Sequence, residues 1–594
     1  LVGCVAFATS CDLTEDVHVK ADKSMIFGSK SGLELYSNSF YKALPTLKNG
    51  FMQDKMCDVG AVSNTDTFIK RGAYNTETAT SWSWGALKNV NYFIDGCNDP
   101  KYCTVEAETR DNYLGIARWF RAWFYYDKLT TYGEVPWFPN DIQSYQNDVM
   151  YKDRDSRDVI IRNLIADLDF AYEHIQATSS TGSATLTRWA AAALKSRVCL
   201  FEAAYRRYHN LTGLEITPEE LYREAAKAAK LVIDNSGCSL NTAAGKKGAY
   251  RDLFYSETPL TQEVILAVCA NEKSGIFGEQ NWWFNARSYG LCWSLVRSFV
   301  HTYLKQDGTP FTAAADYAVK SFAEEMEGRD LRLEQTVRGR NFLWDGKTAV
   351  ADIKNLSLTG YQVIKYTLDE SKYDGGAKNI NSIPLIRYAE VLLNYAEAQA
   401  ELGVLTDSEW ALTVGALRKR AGITGGTETL PTTVDSYLQR TFYPDVTSPV
   451  LLEIRRERAI ELVAEGMRFD DLRRWKCGSL METLRWSGIH IPGLEQPVDV
   501  NGDGVNDYYF TEGEVVSAPA AYKNIAVRVN QDGVGLYAEA NPVSGYDLVY
   551  KTGAGDRYWY PDGRQYLYPI PAKVIRDYRN AGYTISQNPE WDNE

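Results

Sequence analysis

One run of charge that repeats like a buried helix constrains this chain more than any other stretch. Residues 451–476 read LLEIRRERAIELVAEGMRFDDLRRWK, with Leu451, Ile454, Ile460, Val463 and Met467 recurring at helical spacing. Glu457, Glu461 and Glu465 stack four residues apart, and Arg455, Arg456 and Arg458 sit among them. Like charges at that spacing repel mildly, so arginines of the same helix or of a packed neighbour must offset them. Gly466 interrupts the run, and a second short helix, Met467 to Lys476, sets Asp470 and Arg474 four apart. A salt-bridged surface helix fits this pattern. So does a helical hairpin buried in a larger helical array, and the surrounding sequence decides between them.

Amphipathic segments come in succession. The periodicity predicts helices over Trp82–Asp95, Glu106–Leu129, Arg154–Ile175 and Thr187–Tyr208. Pro136 blocks continuation of the second, and the small residues Ala190 to Ala193 let the fourth approach its neighbours closely. Thr217-Pro218-Glu219-Glu220 is a helix start, opening Leu221–Asp234. Residues 383–403 read as a strong helix stopped by Gly403, with Trp410–Ala421 as its partner. Helix pairs of this kind resemble tetratricopeptide-like stacking, in which no pair buries its apolar face alone. Trp119, Trp123, Trp189 and Trp475 fall on the helical period and are expected in the core. The expected fold is mostly α: a scaffold of helix pairs over about 80–240 and 383–476, with little β. A loop-rich insertion over about 240–382 and a loop-rich segment, 477–594, complete one domain from 46 to 594.

The first residues, LVGCVAFATSCDLTED, look like the end of a secretory signal with a lipobox. Cys11 is the expected acylated residue, making 1–11 a signal remnant and 12–45 a tether leading into a first helix. Leu1-Val2-Gly3-Cys4 also fits by residue type, but apolar chain follows Cys4, whereas Asp12, Glu15 and Asp16 follow Cys11. No other apolar run is long enough to span a bilayer, so the expectation is a soluble body on a lipid anchor. The net charge of −13, with no long Lys/Arg block, argues against nucleic acid as a partner. Cys97 and Cys103 share a polar loop and could pair in an oxidising location, whereas Cys199, Cys269, Cys292 and Cys477 lie among apolar residues.

Four blocks together resemble the SusD/RagB family of Bacteroidetes outer-membrane lipoproteins. They are AETRDNYLGIARWFRAWFYYDKLTTYGEVPW, IPLIRYAEVLLNYAEAQAELG, the charged run above, and YLYPIPAKVIRDYRNAGYTISQNPEW at 566–591. The resemblance spans nearly the whole chain, and the last block is its most specific part. It implies a surface lipoprotein sitting as a lid on a SusC-like TonB-dependent transporter. Its cargo would be an oligosaccharide, or a peptide in some members. Other surface glycan-binding lipoproteins or glycoside hydrolases are implied as neighbours.

The family's ligand residues follow no fixed motif, so they are argued from chemistry. Sugars stack apolar faces on aromatic rings and hydrogen-bond flanking polar groups, and this chain holds 15 Trp and 39 Tyr, more than a core uses. Three stretches fit. Asn281 to Asn285, with Trp282, Trp283, Asn285, Arg287, Tyr289 and Trp293, is the densest. Ser81-Trp82-Ser83-Trp84 is expected to set two indoles on opposite sides if extended, with Asn89 and Asn91 near. Trp344, between Asn341 and Asp345, is the third. For each, a core aromatic is the plain alternative. Asp499, Asn501, Asp503, Val505 (by its carbonyl) and Asp507 match a calcium loop with glycine at the sixth position, but Phe510 stands where the bidentate Glu belongs. An Asx-Gly turn is the alternative there. No phosphate loop, nucleophile elbow or marked acid–base pair is present, so the expectation is a binding protein that is not an enzyme and requires no cofactor. A glycoside hydrolase on a helical scaffold is the competing class.

Overall fold

The computed structural model describes residues 23–48, 54–285, 292–552 and 555–592. Helices dominate it. α1 (Gly85–Asn98), α2 (Ala107–Tyr132), α3 (Arg157–His174), α4 (Arg188–Tyr208) and α5 (Pro218–Asn235) pack in sequence order, α2 against α1 and α3, and α4 against α3 and α5. α6 (Tyr388–Glu401) continues the stack from α5, and α7 (Pro449–Glu461) closes it. Local chemistry sets the ends. Thr217 accepts from the Glu220 amide while the Glu220 carboxylate accepts from the Thr217 amide at 2.7 Å, a capping box with Pro218 just inside. Ala190 to Ala193 are no more than 2% exposed, which lets α4 run through the centre of the stack. Leu164 and Leu168 of α3 are fully buried; truncating either to Ala costs about 2–5 kcal/mol.

Two expected helices change form. The first five residues of 383–403 are not helical. Ile383–Arg387 is a strand (β2) paired antiparallel with β1, Val264–Val268. Its apolar residues are needed on the sheet rather than on the stack, and a two-stranded ladder tolerates Pro384. The partner helix breaks at Thr413 into Asp407–Leu412 and Val414–Arg420. In the C-terminal segment, short strands tie the loops. β3 (Ser487–Ile491), β4 (Leu536–Ala540) and β5 (Tyr546–Tyr550) make one antiparallel sheet with β5 in the middle.

The charged hairpin is buried. Gly466, at φ 79°, turns the chain between α7 and the short helix Arg468–Arg474, a conformation that glycine enters without strain. Glu461 is 0% exposed and takes Arg420, Arg387 at 2.6 Å and Arg332 at 2.7 Å. Burial alone would raise its carboxyl, but the three guanidiniums outweigh that and hold it well below the usual range. Glu397 takes Arg474 and the Trp475 indole N–H at 2.8 Å, and Asp471 takes Arg458 at 2.8 Å. Arg455 is held instead among the rings of Trp475, Tyr208 and Tyr443, at 4.5, 4.9 and 5.3 Å. The hairpin is therefore part of the frame, its ions paired with Glu397 of α6, with Arg332, Arg387, Arg418 and Arg420, and with Asp58 and Asp435.

The tail at 566–591 is a clasp. The Gln587 amide pairs with the backbone of Ile570 in both directions at 2.8 Å. Asn588 donates to the carbonyls of Tyr132 and Tyr568, and the Trp591 indole to those of Arg564 and Leu567. These bonds seat α8 (Ala572–Asn580) beside the start of α1, with the Ala572 amide bonded to the Thr76 carbonyl at 2.9 Å.

Candidate functional site

α1 opens at the edge of a cleft. Trp82 and Trp84 immediately precede it, with ring centroids 5.3 Å apart and planes at 71°. The expectation of opposite sides fails: the rings are in contact, and even a fully extended chain sets residues two apart on one face. Tyr132 fixes this segment: its ring meets Trp82 at 4.9 Å and its hydroxyl donates to the Ser81 carbonyl at 2.5 Å. Trp84 leans on Phe124 and Phe138 at 5.5 and 5.2 Å. Both indoles remain partly exposed. They line a cavity of about 780 Å³ whose other walls are α8 and the 138–151 segment. That volume suits a small-molecule or oligosaccharide ligand.

Rings and polar groups face each other across it. Tyr151 meets Tyr578 of α8 at 5.1 Å, edge to face. Lys88 and Asn140 lie on the near side; Lys573, Arg576 and Asp577 lie on the far side. Arg576 reaches Glu77 at 2.6 Å across the rim, and that hydrogen bond lowers the Glu77 carboxyl. Asn91 does not supply a free amide: it is buried and donates to the carbonyls of Phe138 and Asn140. Asn89 is also engaged, with the Tyr36 hydroxyl and Ser39.

Behind α1 lies a larger cavity of about 1270 Å³. Tyr36, Phe40, Trp123, Phe124, Asp127 and Asp470 are among its lining residues. Trp119 and Trp475 are core residues, but Trp123 departs from that expectation and lines this cavity, stacked on Trp119 at 5.4 Å. Trp189 is also only partly buried. Asp127 is open to water, with 68% of its side chain accessible, yet the surrounding protein raises its carboxyl. A concave wall produces both.

The other candidates lie elsewhere. Trp282 and Trp283 sit on the short helix Gln280–Asn285, edge to face at 4.7 Å, and Trp283 packs against the main core. Asn281 anchors that helix by pairing with both the amide and the carbonyl of Leu368 at 2.8 Å. Asn285 uses both ends of its amide inside the protein, donating to Asp374 and accepting from Gln362. Arg287 and Tyr289 lie outside the described residues, as does Cys11. Trp293 is buried against Gly60. Trp344 sits in a hairpin with an Asp345-Gly346 turn, under the Arg338 guanidinium at 5.2 Å. None of these lines the Trp82 cleft. Sequence reasoning missed Phe138, Tyr151, Tyr578 and the polar face of α8. The signal for α8 was the amphipathic pattern of 572–580 inside the tail block.

At 499–507, Asp499 accepts from the amides of Gly502 and Gly504 at 2.7 Å, and Asp503 from that of Val505 at 2.9 Å. Asp507 accepts from Val500 at 2.8 Å. Gly504, at φ 86°, makes the sharp turn such a loop needs. Burial first, then the Asp499 and Asp503 charges, raise the Asp507 carboxyl. Among the described residues no three His, Cys, Asp or Glu side chains converge closely enough to hold a metal. An ion here would therefore have to draw these carboxylates inward.

The SusD family model matches residues 262–591, more than half of the chain. This chain belongs to the SusD family. Solved SusD-like structures match it end to end. A SusD-like protein from Bacteroides fragilis NCTC 9343 is 21% identical, with 96% of this chain and 98% of that chain covered at a TM-score of 0.64. A SusD-like carbohydrate binding protein from the same strain is 19% identical, covering 94% and 99% at 0.67. A SusD homolog from Bacteroides thetaiotaomicron VPI-5482 is 17% identical, covering 96% and 99% at 0.60. At these identities the likeness establishes the SusD fold. No curated protein matches the sequence. Among the described residues no helix is long and apolar enough to cross a membrane.

Proposed function

We propose that this SusD-family protein is a cell-surface glycan-binding lipoprotein that captures oligosaccharide at the Trp82–Trp84 cleft. The observation carrying this reading is the pair of partly exposed indoles, braced by Tyr132 and Phe138, facing Tyr151, Tyr578 and charged groups across about 780 Å³. Rings offer stacking faces, and the rim groups offer hydrogen bonds to hydroxyls. Family membership and the carbohydrate-binding relative support it. Acylation of Cys11 anchors the protein on the outer face of the outer membrane. There it acts as the lid of a SusC-like TonB-dependent transporter and delivers its cargo for import. Asp499, Asn501, Asp503 and Asp507 would be the residues to hold a calcium ion in the 499–507 loop, and its charge would offset that of the three carboxylates.

Binding requires no covalent step. A hydrolase would need an acid held in its protonated form across the cleft from a base. The two carboxylates here are paired instead, Glu77 with Arg576 and Asp577 with Lys573 at 2.6 Å, and the first pairing lowers Glu77 rather than raising it. The test is a panel of neutral and acidic oligosaccharides, with short peptides as competitors, followed by calorimetry on the hits. Saturable sugar binding without new reducing ends supports the reading. Release of reducing ends, or displacement by peptides alone, replaces it with the hydrolase or with a peptide-binding member of the family. Palmitate labelling that disappears in Cys11→Ala tests the anchor.

A further inference from the structure

The cleft at Trp82 and the larger cavity behind α1 share a lip. Successive residues of an α-helix point about 100° apart, so α1 presents Ala86, Asn89 and Val90 to the larger cavity and Leu87, Lys88 and Asn91 to the cleft. Gly85, the first residue of the helix, lines both. It is exposed, and among the described residues a Cβ built there meets no atom within 4 Å beyond its chain neighbours and its own helix backbone. The way over the start of α1 is therefore open. Aromatic rings follow the same route. Trp82 meets Trp84 at 5.3 Å, Trp84 meets Phe124 at 5.5 Å, and Phe124 lines the larger cavity beside Trp123. Trp123 has one face on Trp119, with planes 11° apart, and stays partly exposed, which leaves its other face for the cavity. Asp127 stands one turn further along α2 and pairs only loosely, with Lys128 at 3.8 Å, so its oxygens remain able to accept hydrogen bonds from hydroxyls.

We propose that the two cavities form one extended site, occupied by a single oligosaccharide that stacks on Trp82 and Trp84, crosses α1 at Gly85 and ends against Trp123 and Asp127. The proposal rests on the glycan reading of the Trp82 cleft and adds the class of ligand: a chain too long for the cleft alone. Pockets that hold a drug-sized ligand measure about 300–1,000 Å³; the cleft, at about 780 Å³, falls within that range, and the larger cavity, at about 1270 Å³, exceeds it. Trp123 and Asp127 offer at the far end what the cleft offers at the near one, a stacking face beside a hydrogen-bonding group. Once one end of the sugar is held on Trp82, the rest meets the second cavity at high effective concentration. Affinity then grows with chain length without any new contact in the cleft.

The test is calorimetry on the full chain with a size ladder, from disaccharide upward, prepared by partial hydrolysis of the glycan that scores in the panel. The wild type is compared with Gly85→Leu, Trp123→Ala and Asp127→Ala. Wild-type affinity is expected to climb about tenfold or more from the disaccharide to the longest members. Gly85→Leu fills the lip with a side chain that its surroundings accommodate, and Trp123→Ala removes the far ring. Each is expected to abolish the gain with length and to leave the disaccharide affinity unchanged; Asp127→Ala is expected to reduce the gain severalfold. The unchanged disaccharide serves as the control for folding. Trp82→Ala, by contrast, weakens every member of the ladder. Affinity independent of length, or a gain with length that survives both Gly85→Leu and Trp123→Ala, overturns the extended site while Trp82-dependent binding of the disaccharide still stands. Failure of every member to bind the wild type removes the glycan reading itself, and the extended site with it.

Discussion

The hairpin of residues 449–474 and the cleft at Trp82 both combine charge with aromatic rings, and they treat water in opposite ways. Glu461 of the hairpin and its partners Arg332, Arg387 and Arg420 are almost wholly buried, with Asp330, Glu457, Glu263 and Glu465 supplying the remaining countercharge. In the cleft, the rings are only partly covered and the ions stand at the rim, Arg576 and Glu77 being 51% and 63% exposed. Buried ions carry a desolvation cost, which these offset by pairing with one another. Ions paired inside the protein and closed off from water are out of a ligand's reach. Partly exposed rings have the reverse property: their unburied faces gain from contact with an apolar surface that arrives from outside. Charge density in this chain therefore marks the frame, and incompletely buried aromatics mark the site.

The widest separation between the two regions comes from breaking the frame. Glu461→Ala leaves three buried guanidiniums without their shared partner and is expected to cost about 3–5 kcal/mol in a urea titration. Trp119→Ala, in the core beside α4, is expected to cost a similar ~3–5 kcal/mol. Arg576→Ala at the rim is expected to leave the unfolding midpoint unchanged. Equal effects of Glu461→Ala and Arg576→Ala would erase the distinction.

Next comes the cleft itself. Trp82→Ala is expected to weaken binding of a confirmed oligosaccharide about tenfold or more, equivalent to ~1.4 kcal/mol or more. Its melting temperature is expected to stay near that of the wild type. Trp282→Ala with Trp283→Ala serves as the comparison: loss of affinity there and not at Trp82 would move the site to the 281–285 helix.

Acid sharpens the contrast. Burial would raise Glu325, but Arg297, followed by His301 and Tyr361, holds it down at about 2, and Glu461 lies well below its ordinary value of 4.5. Both carboxyls are depressed on folding, so their stabilisation is fully present above about pH 4.5 and is lost as pH falls toward 2. Urea midpoints measured across that window are expected to fall steadily; a flat profile would contradict the ionic frame. The smallest effect is at 499–507. A chelator is expected to lower the melting temperature by a few degrees if calcium draws those carboxylates together, and an unchanged melt rejects the ion.

Most of the scaffold was legible because helical periodicity and caps are local. Thr217-Pro218 opened α5 within a few residues of its expected start, and Glu106–Leu129 became Ala107–Tyr132. Ile383–Arg387 was not legible as a strand. Its pairing partner, Val264–Val268, lies more than a hundred residues away, and a short apolar run fits helix or strand equally. The cleft was half legible. Trp82 and Trp84 could be singled out as two indoles close together with asparagines near, but Tyr151 and Tyr578 face them only because the 566–591 clasp brings α8 home. Trp123 was misplaced because periodicity gives the face of a helix and not whether a neighbour covers it.

The measurement that tests the central claim most directly is calorimetry of one confirmed oligosaccharide against wild type and Trp82→Ala, with thermal melts of both proteins in the same buffer. The account predicts an affinity loss of about tenfold or more with closely matched melts. Unchanged affinity, or a loss that appears only together with a collapse of the melt, would contradict it.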